Sequence, residues 1–226
     1  IATDWPYILG KQVGFSGSFS LFRQDSTYIT INPKMAISFF ASNGGRFLVN
    51  IDYKKTSYTL NDKTSQTQYA NTSAFLYGLG YEYCSYDNVT LPTNGLLIRT
   101  NVNTGSRSIS KNQSPKSNLI DGELYIEGYI PLQEKRLILT LRSNSKARAI
   151  YNTKGSKTQY NNEMYLVGGM GTIRGFNQEA VLTDKYSIAS VELHLRFTKG
   201  SGIYLFGEKG YVNTYELGES KVQWPL

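Results

Sequence analysis

The chain has 226 residues, a formal charge of +7, one cysteine (Cys84) and one histidine (His194). These counts exclude an internal disulfide and a histidine-based metal cluster, and no run of ~18 apolar residues is long enough for a membrane helix. Sparse charge (18%) beside 18 tyrosines and 21 glycines points to an all-β chain whose long strands face two environments.

The lysines and arginines are scattered, with neither a basic helix nor zinc-finger spacing, so no nucleic-acid partner is expected. Cys84 reads as a small packed residue. Period-two alternation, which places successive side chains on opposite faces of a sheet, dominates the sequence. Val13, Phe15, Phe19 and Leu21 share one face of a first strand, with Ser16, Ser18 and Ser20 on the other. Ile29, Ile31, Met35, Ile37 and Phe39 oppose Thr30, Asn32, Lys34 and Ser38, and Phe47, Val49, Ile51 and Tyr53 oppose Asn50, Asp52 and Lys54. Further on, Leu137, Leu139 and Leu141 oppose Thr140, Arg142, Asn144, Lys146 and Arg148. The last clear strand sets Val191, Leu193, Leu195 and Phe197 against Ser190, Glu192, His194 and Arg196.

About nine or ten strands are expected, with short edge pieces at both ends. Many read as roughly twelve residues or longer, against about five or six in globular proteins. Their polar faces carry charges in the strand interiors, as a wet lumen would. Alternation alone also allows a soluble sandwich with one face in water. Residues 42–45, 133–135 and 198–200 read as short turns, and 60–71, 110–120 and 151–185 as long polar stretches. Short and long ends thus alternate, like the periplasmic turns and outer loops of an outer-membrane barrel. Residues 88–95, longer than a tight turn, fit this alternation least well.

The most informative stretch is 166–176, LVGGMGTIRGF. Gly168, Gly169 and Gly171 permit backbone conformations and close packing that side chains would block. The spacing to Gly175 is one residue too long for a dinucleotide fingerprint, and no helix pattern follows. Ile173-Arg174-Gly175-Phe176 resembles the [VI]RG[FY] signature in the sixth outer loop of the BamA/FhaC superfamily, where paired glycines also precede it. The strand SIASVELHLRF, residues 187–197, resembles that family's next strand, whose inward glutamate is matched by Glu192. Phe206-Gly207-Glu208-Lys209-Gly210 resembles the F-x-D-x-G motif of the strand after it, with Glu208 in place of the usual aspartate. The close resemblance covers about residues 164–212; elsewhere the match is to generic barrel strands.

Independently of the family, period two puts Tyr204, Phe206, Glu208 and Gly210 on one face, and Glu192, His194 and Arg196 on one face of the neighbouring strand. If those faces line the lumen, the forked guanidinium of Arg174 suits two carboxylates there, with Gly175 and Gly210 giving the loop room. On the bare sequence, an ordinary solvated loop arginine is an equal reading. The resemblance implies a transmembrane antiparallel β-barrel of sixteen strands in the bacterial outer membrane. This chain would supply about nine or ten of them as one domain, 1–226, with an inward-folded loop 151–185 held by Arg174. Either the start, the end or both are missing, with the first strands and the last two or three the expected absentees, or the chain is a smaller relative, as FSLFRQDSTY (residues 19–28), which resembles short Bacteroidota barrels of this family, also allows. It further implies insertion of barrel proteins or passage of a polypeptide. The partners would be outer-membrane lipid, client polypeptides or nascent barrel proteins, and other subunits of an outer-membrane complex. No cofactor, metal or catalytic residue is expected. The alternative is an accessory barrel of a larger machine, or the membrane anchor of an enzyme fused upstream.

Overall fold

The computed structural model describes residues 1–8, 11–24, 27–42, 44–58, 69–110, 116–133, 136–151, 159–198, 201–216 and 219–223. Its strands are β1 (Ala2–Trp5), β2 (Val13–Gln24), β3 (Tyr28–Phe40), β4 (Gly45–Tyr58), β5 (Thr72–Cys84) and β6 (Gly95–Ile109). They continue with β7 (Ser117–Gln133), β8 (Leu137–Tyr151), β9 (Tyr165–Val167), β10 (Val181–Arg196), β11 (Gly202–Glu216) and β12 (Glu219–Gln223). All lie in one antiparallel sheet in the order β1 to β8, β10, β11, β12, with the short β9 paired to β10. Nine strands are 12 to 17 residues long, which is the membrane-spanning set, and β1 and β12 are short edge pieces. Among the described residues β1 and β12 are not paired with each other, so the sheet has two edges.

The alternation seen in the sequence becomes two physically different faces. Outward, Phe15, Ile37, Val49, Leu79 and Val102 follow one another across β2–β6 in a single hydrogen-bonded row. Ile130, Leu139, Leu193 and Leu205 form another across β7–β11. Inward, the rows are polar: Glu127, Arg142, Ser190 and Glu208 stand side by side. The inner face is concave, because side chains two and three strands apart meet on it. Arg46 on β4 reaches Asp4 on β1 at 3.3 Å, and Asn50 on β4 donates to Asn103 Oδ1 on β6 at 2.6 Å. That last contact passes over Gly78 of β5, where a Cβ would lie 2.0 Å from Asn103 Oδ1. Only glycine fits there.

Several expectations need adjustment. The stretches 60–71, 110–120 and 151–185 lie partly outside the described residues, as do the turns 42–45, 133–135 and 198–200. Within what is described, β7 begins at Ser117 and β10 at Val181, because pairing with β6 and β9 extends both strands into the expected loops. Cys84 is exposed at the end of β5 rather than packed. Thr140 and Ser190 are inward, yet 1% and 4% exposed, so this part of the lumen is filled with protein. A cysteine at position 194 should therefore react with an aqueous thiol reagent far faster than one at 140 or 190. Arginine at outward Leu193 should cost ~2–4 kcal/mol in a bilayer, and arginine at inward His194 much less, by reversible unfolding in lipid.

Candidate functional site

The site is built where the segment between β9 and β10 folds onto the inner face of β10 and β11. Gly168 has φ +127°, and a Cβ there would lie 2.2 Å from the Asn177 carbonyl. Gly169 and Gly175 both have φ +87°. All three glycines are thus demanded by backbone conformation, and Gly168 also by close approach. Gly171 is demanded by neither, since its φ is ordinary and its Cβ position is open. Gly175 likewise has open space around it, so it supplies conformation and not room. The Gly168 N–H donates to Thr172 Oγ1 at 2.7 Å, closing the turn that delivers the next two residues. Ile173, 4% exposed, enters an apolar cluster with Val167, Tyr186, Ile188 and Val212 on the inner wall. Phe176 stays 40% exposed.

Arg174 lies against β10 and β11. Its Nε donates to Glu208 Oε1 at 2.8 Å, its main-chain N–H donates to Glu208 Oε2 at 2.6 Å, and one terminal nitrogen is 2.6 Å from Oε1. The same nitrogen donates to Glu192. The guanidinium carbon sits 3.8 Å over the Phe206 ring. Gly210 is buried in β11 opposite Ile188. The side chains of Arg174, Glu192 and Glu208 are only 16%, 6% and 7% exposed, so the charges are largely out of water and satisfied by one another.

The network continues down the wall. Arg142 on β8 lies 3.5 Å from Glu192 and donates to Glu127 Oε1 on β7 through two nitrogens, at 3.2 and 2.8 Å. Glu127 also accepts from the hydroxyls of Tyr86, Tyr125 and Tyr129 at 3.0, 2.9 and 3.0 Å. Tyr86 belongs to the connection between β5 and β6, so that long turn is pinned into the same chain of contacts. His194 Nε2 is 2.9 Å from Glu192 Oε2.

A second attachment lies nearer the end that carries the long connections. A 3-10 turn, Asn161–Glu163, inserts into the inner face. Arg107 on β6 donates to both oxygens of Glu163, at 2.6 and 2.5 Å, with side chains 1% and 7% exposed. Arg148 on β8 donates to the Glu163 carbonyl and to Asp121 on β7, and stacks 4.7 Å over the Tyr165 ring. Tyr165 donates to the other Asp121 oxygen at 2.5 Å. Asn162 pairs with the main chain of Ala70 in both directions, at 2.7 and 3.3 Å, linking the segment to the connection before β5. One row away, inward Leu76, Leu119 and Ile150 make a small apolar core.

Residues 4–222 match the Omp85 superfamily domain. The chain belongs to the Omp85 superfamily. Among solved structures, the Omp85 barrel described here is similar to BamA from Haemophilus ducreyi lacking POTRA domains 1–3, with TM-score 0.69 and 14% identity. That match covers 94% of this chain and 49% of the other, so the chain spans about half the length of its solved relative. No curated protein sequence matches it. The protein is a transmembrane β-barrel of the bacterial outer membrane.

Sequence reasoning placed Arg174, Glu192 and Glu208 together and missed the outer attachment of this Omp85 barrel. The signal was half present: Arg107, Asp121 and Arg148 occupy inward positions in membrane-spanning strands, where an unpaired charge is costly. Their partner Glu163 sits 56 residues from Arg107 in a segment without periodicity. Protease added to intact cells should accordingly spare the bonds from Asn161 to Tyr165, read by mass spectrometry of the retained fragment, although they fall in the long polar stretch 151–185.

Proposed function

We propose that this barrel inserts other barrel proteins into the outer membrane or passes a polypeptide across it, and catalyses no reaction. The observation that supports the reading is Arg174, tethered on Glu192 and Glu208 inside the wall of an Omp85-family barrel. The segment from Gly168 to Phe176 is its working part, and Glu192, Phe206, Glu208 and Gly210 are the inner-wall groups that hold it. The mechanism is templating. An exposed strand edge offers unpaired N–H and C=O groups to a client strand, for which an unsatisfied backbone in lipid would be far worse. Its partners are outer-membrane lipid, client polypeptides or nascent barrel proteins, and the subunits of an outer-membrane complex.

The test uses the intact protein in liposomes, offered either an unfolded barrel client or an unfolded secreted β-rich chain. Insertion reads out as a heat-modifiable folded client, and passage as protection of the secreted chain from external protease. Insertion or passage above that of empty liposomes, weakened by Glu208→Ala, is the expected result. Rates equal to empty liposomes with both clients would overturn the reading.

A further inference from the structure

Among the described side chains, the outward face of the strands carries charge of one sign only. On the long strands the carboxylates of Asp52, Glu82, Asp121, Glu123, Glu127, Glu192 and Glu208 all occupy inward register positions. Asp184 sits in the β10 irregularity, buried and hydrogen-bonded to Asn213 Nδ2 at 2.9 Å. The charged residues at outward positions, among the described side chains, are Arg23, Lys55, Lys185 and Lys209, and all four are exposed cations. Arg23, Lys55 and Lys185 fall near the ends of β2, β4 and β10 that lead into the long-loop side of the barrel. In outer-membrane barrels that side meets the cell surface. Lys209 lies deeper, midway along β11 opposite Ala189.

A groove of about 440 Å³ opens on the same outward face beside Lys185. It runs between two hydrogen-bonded rows: Val102, Gly122, Ala147 and Lys185 in one, Leu124, Ser145, Ser187 and Tyr211 in the other. The Ser145 and Ser187 hydroxyls on its floor lie 2.8 Å apart, one donating to the other. By distance from the periplasmic strand ends, Gly122, Ala147 and Lys185 (eleven, ten and eleven residues) form the upper row, and Leu124, Ser145, Ser187 and Tyr211 (nine, eight, nine and nine) the lower one. The cation therefore stands about two residues, roughly 7 Å of strand, above the lower row. A lipid seated there would set its phosphate at Lys185 and its acyl chain below.

We propose that this groove seats an acyl chain of the phosphorylated glycolipid of the outer leaflet, lipopolysaccharide, with Lys185 on a lipid A phosphate and Arg23 and Lys55 contacting the same headgroup layer elsewhere on the wall. Outward cations with no outward carboxylate among the described strand positions complement a leaflet densely populated with phosphates. The proposal needs only that the barrel sits in the outer membrane, and stands or falls separately from client handling.

The test is lipid occupancy by native mass spectrometry on the intact protein in detergent, titrated with bisphosphorylated lipid A, dephosphorylated lipid A or phosphatidylglycerol. Bisphosphorylated lipid A should bind tightest. Lys185→Gln should weaken it about fivefold, the worth of one lysine near an anionic lipid surface, and Lys185→Arg should leave it unchanged. Ser187→Leu, which fills the groove, should weaken bisphosphorylated and dephosphorylated lipid A alike, with the barrel still running as a heat-modifiable band. Should a variant fail to fold, the comparison of the three lipids on the unaltered protein still decides. Equal binding of dephosphorylated lipid A or of phosphatidylglycerol would overturn the proposal, as would unchanged occupancy in both Lys185→Gln and Ser187→Leu.

Discussion

Arg107→Met is expected to destabilise the folded barrel by about 3–5 kcal/mol, the loss typical when one partner of a buried ion pair is removed. The guanidinium is enclosed, and both of its hydrogen bonds go to Glu163, whose carboxylate would be left buried among Tyr160, Asn162 and the inner wall without its ion-pair partner. Glu163→Gln alone should cost about as much, because the amide keeps one acceptor but leaves a guanidinium that cannot lose its proton buried without its partner. The double variant Arg107→Met with Glu163→Leu should recover most of the loss, since replacing a whole buried pair by apolar groups is often close to neutral. Urea titrations of the intact protein in lipid, followed by tyrosine fluorescence, give the three numbers. A loss below about 1 kcal/mol for Arg107→Met would mean that the pair behaves as a solvated surface contact.

The second large effect belongs to Arg174. Arg174→Ala and Glu208→Ala should each leave a folded, inserted barrel and each free the loop. Together they should do less than the sum of the two, with a coupling of about 1–3 kcal/mol. The physical reason is that Glu208 spends both oxygens on Arg174, one on the side chain and one on the main-chain N–H. Arg174→Lys should rescue only partly, because an ammonium cannot contact Glu208 and Glu192 in one plane while lying over Phe206. Loop freedom is read by hydrogen exchange of the 168–176 amides, and the consequence for work by the rate of client folding in liposomes. Strict additivity in exchange and in client folding would dissolve the pair as a unit.

Much of the wall was legible before the structure. Period two needs only local sequence, and the outward sets Val13–Leu21, Ile29–Phe39, Phe47–Tyr53, Leu137–Leu141 and Val191–Leu195 emerge on one face because the pleat enforces it. Loop contacts were legible only where a motif tied them together, as at Arg174. The assumption of a uniformly wet lumen was the weak point. Leu76, Leu97, Leu119, Ile138 and Ile150 point inward and are buried, so alternation blurs in β5–β8. Inserted loop segments replace water there, and an inward leucine is then as well placed as an outward one. Pairings such as Arg107 with Glu163 depend on how a non-periodic segment re-enters the barrel, which no local pattern encodes.

The two attachments of the inserted segment also decide how the wall deforms. From Ala70, just before β5, to Glu208 on β11, the segment is fastened to β6, β7, β8, β10 and β11, like a strut braced against several staves. Bending that arc means breaking buried contacts on several strands at once. Among the described residues, the inner cross-links of β1–β4 hold no loop segment, and apart from the neutral contacts Thr30–Thr56 and Asn50–Asn103 they are partly exposed ion pairs. Arg46 meets Asp4 at 3.3 Å with the aspartate half exposed, a contact of small energetic weight in water. Compliance is therefore concentrated in the first four strands, and a load applied to the sheet by an incoming chain flexes that side while the braced arc moves as one stiff plate.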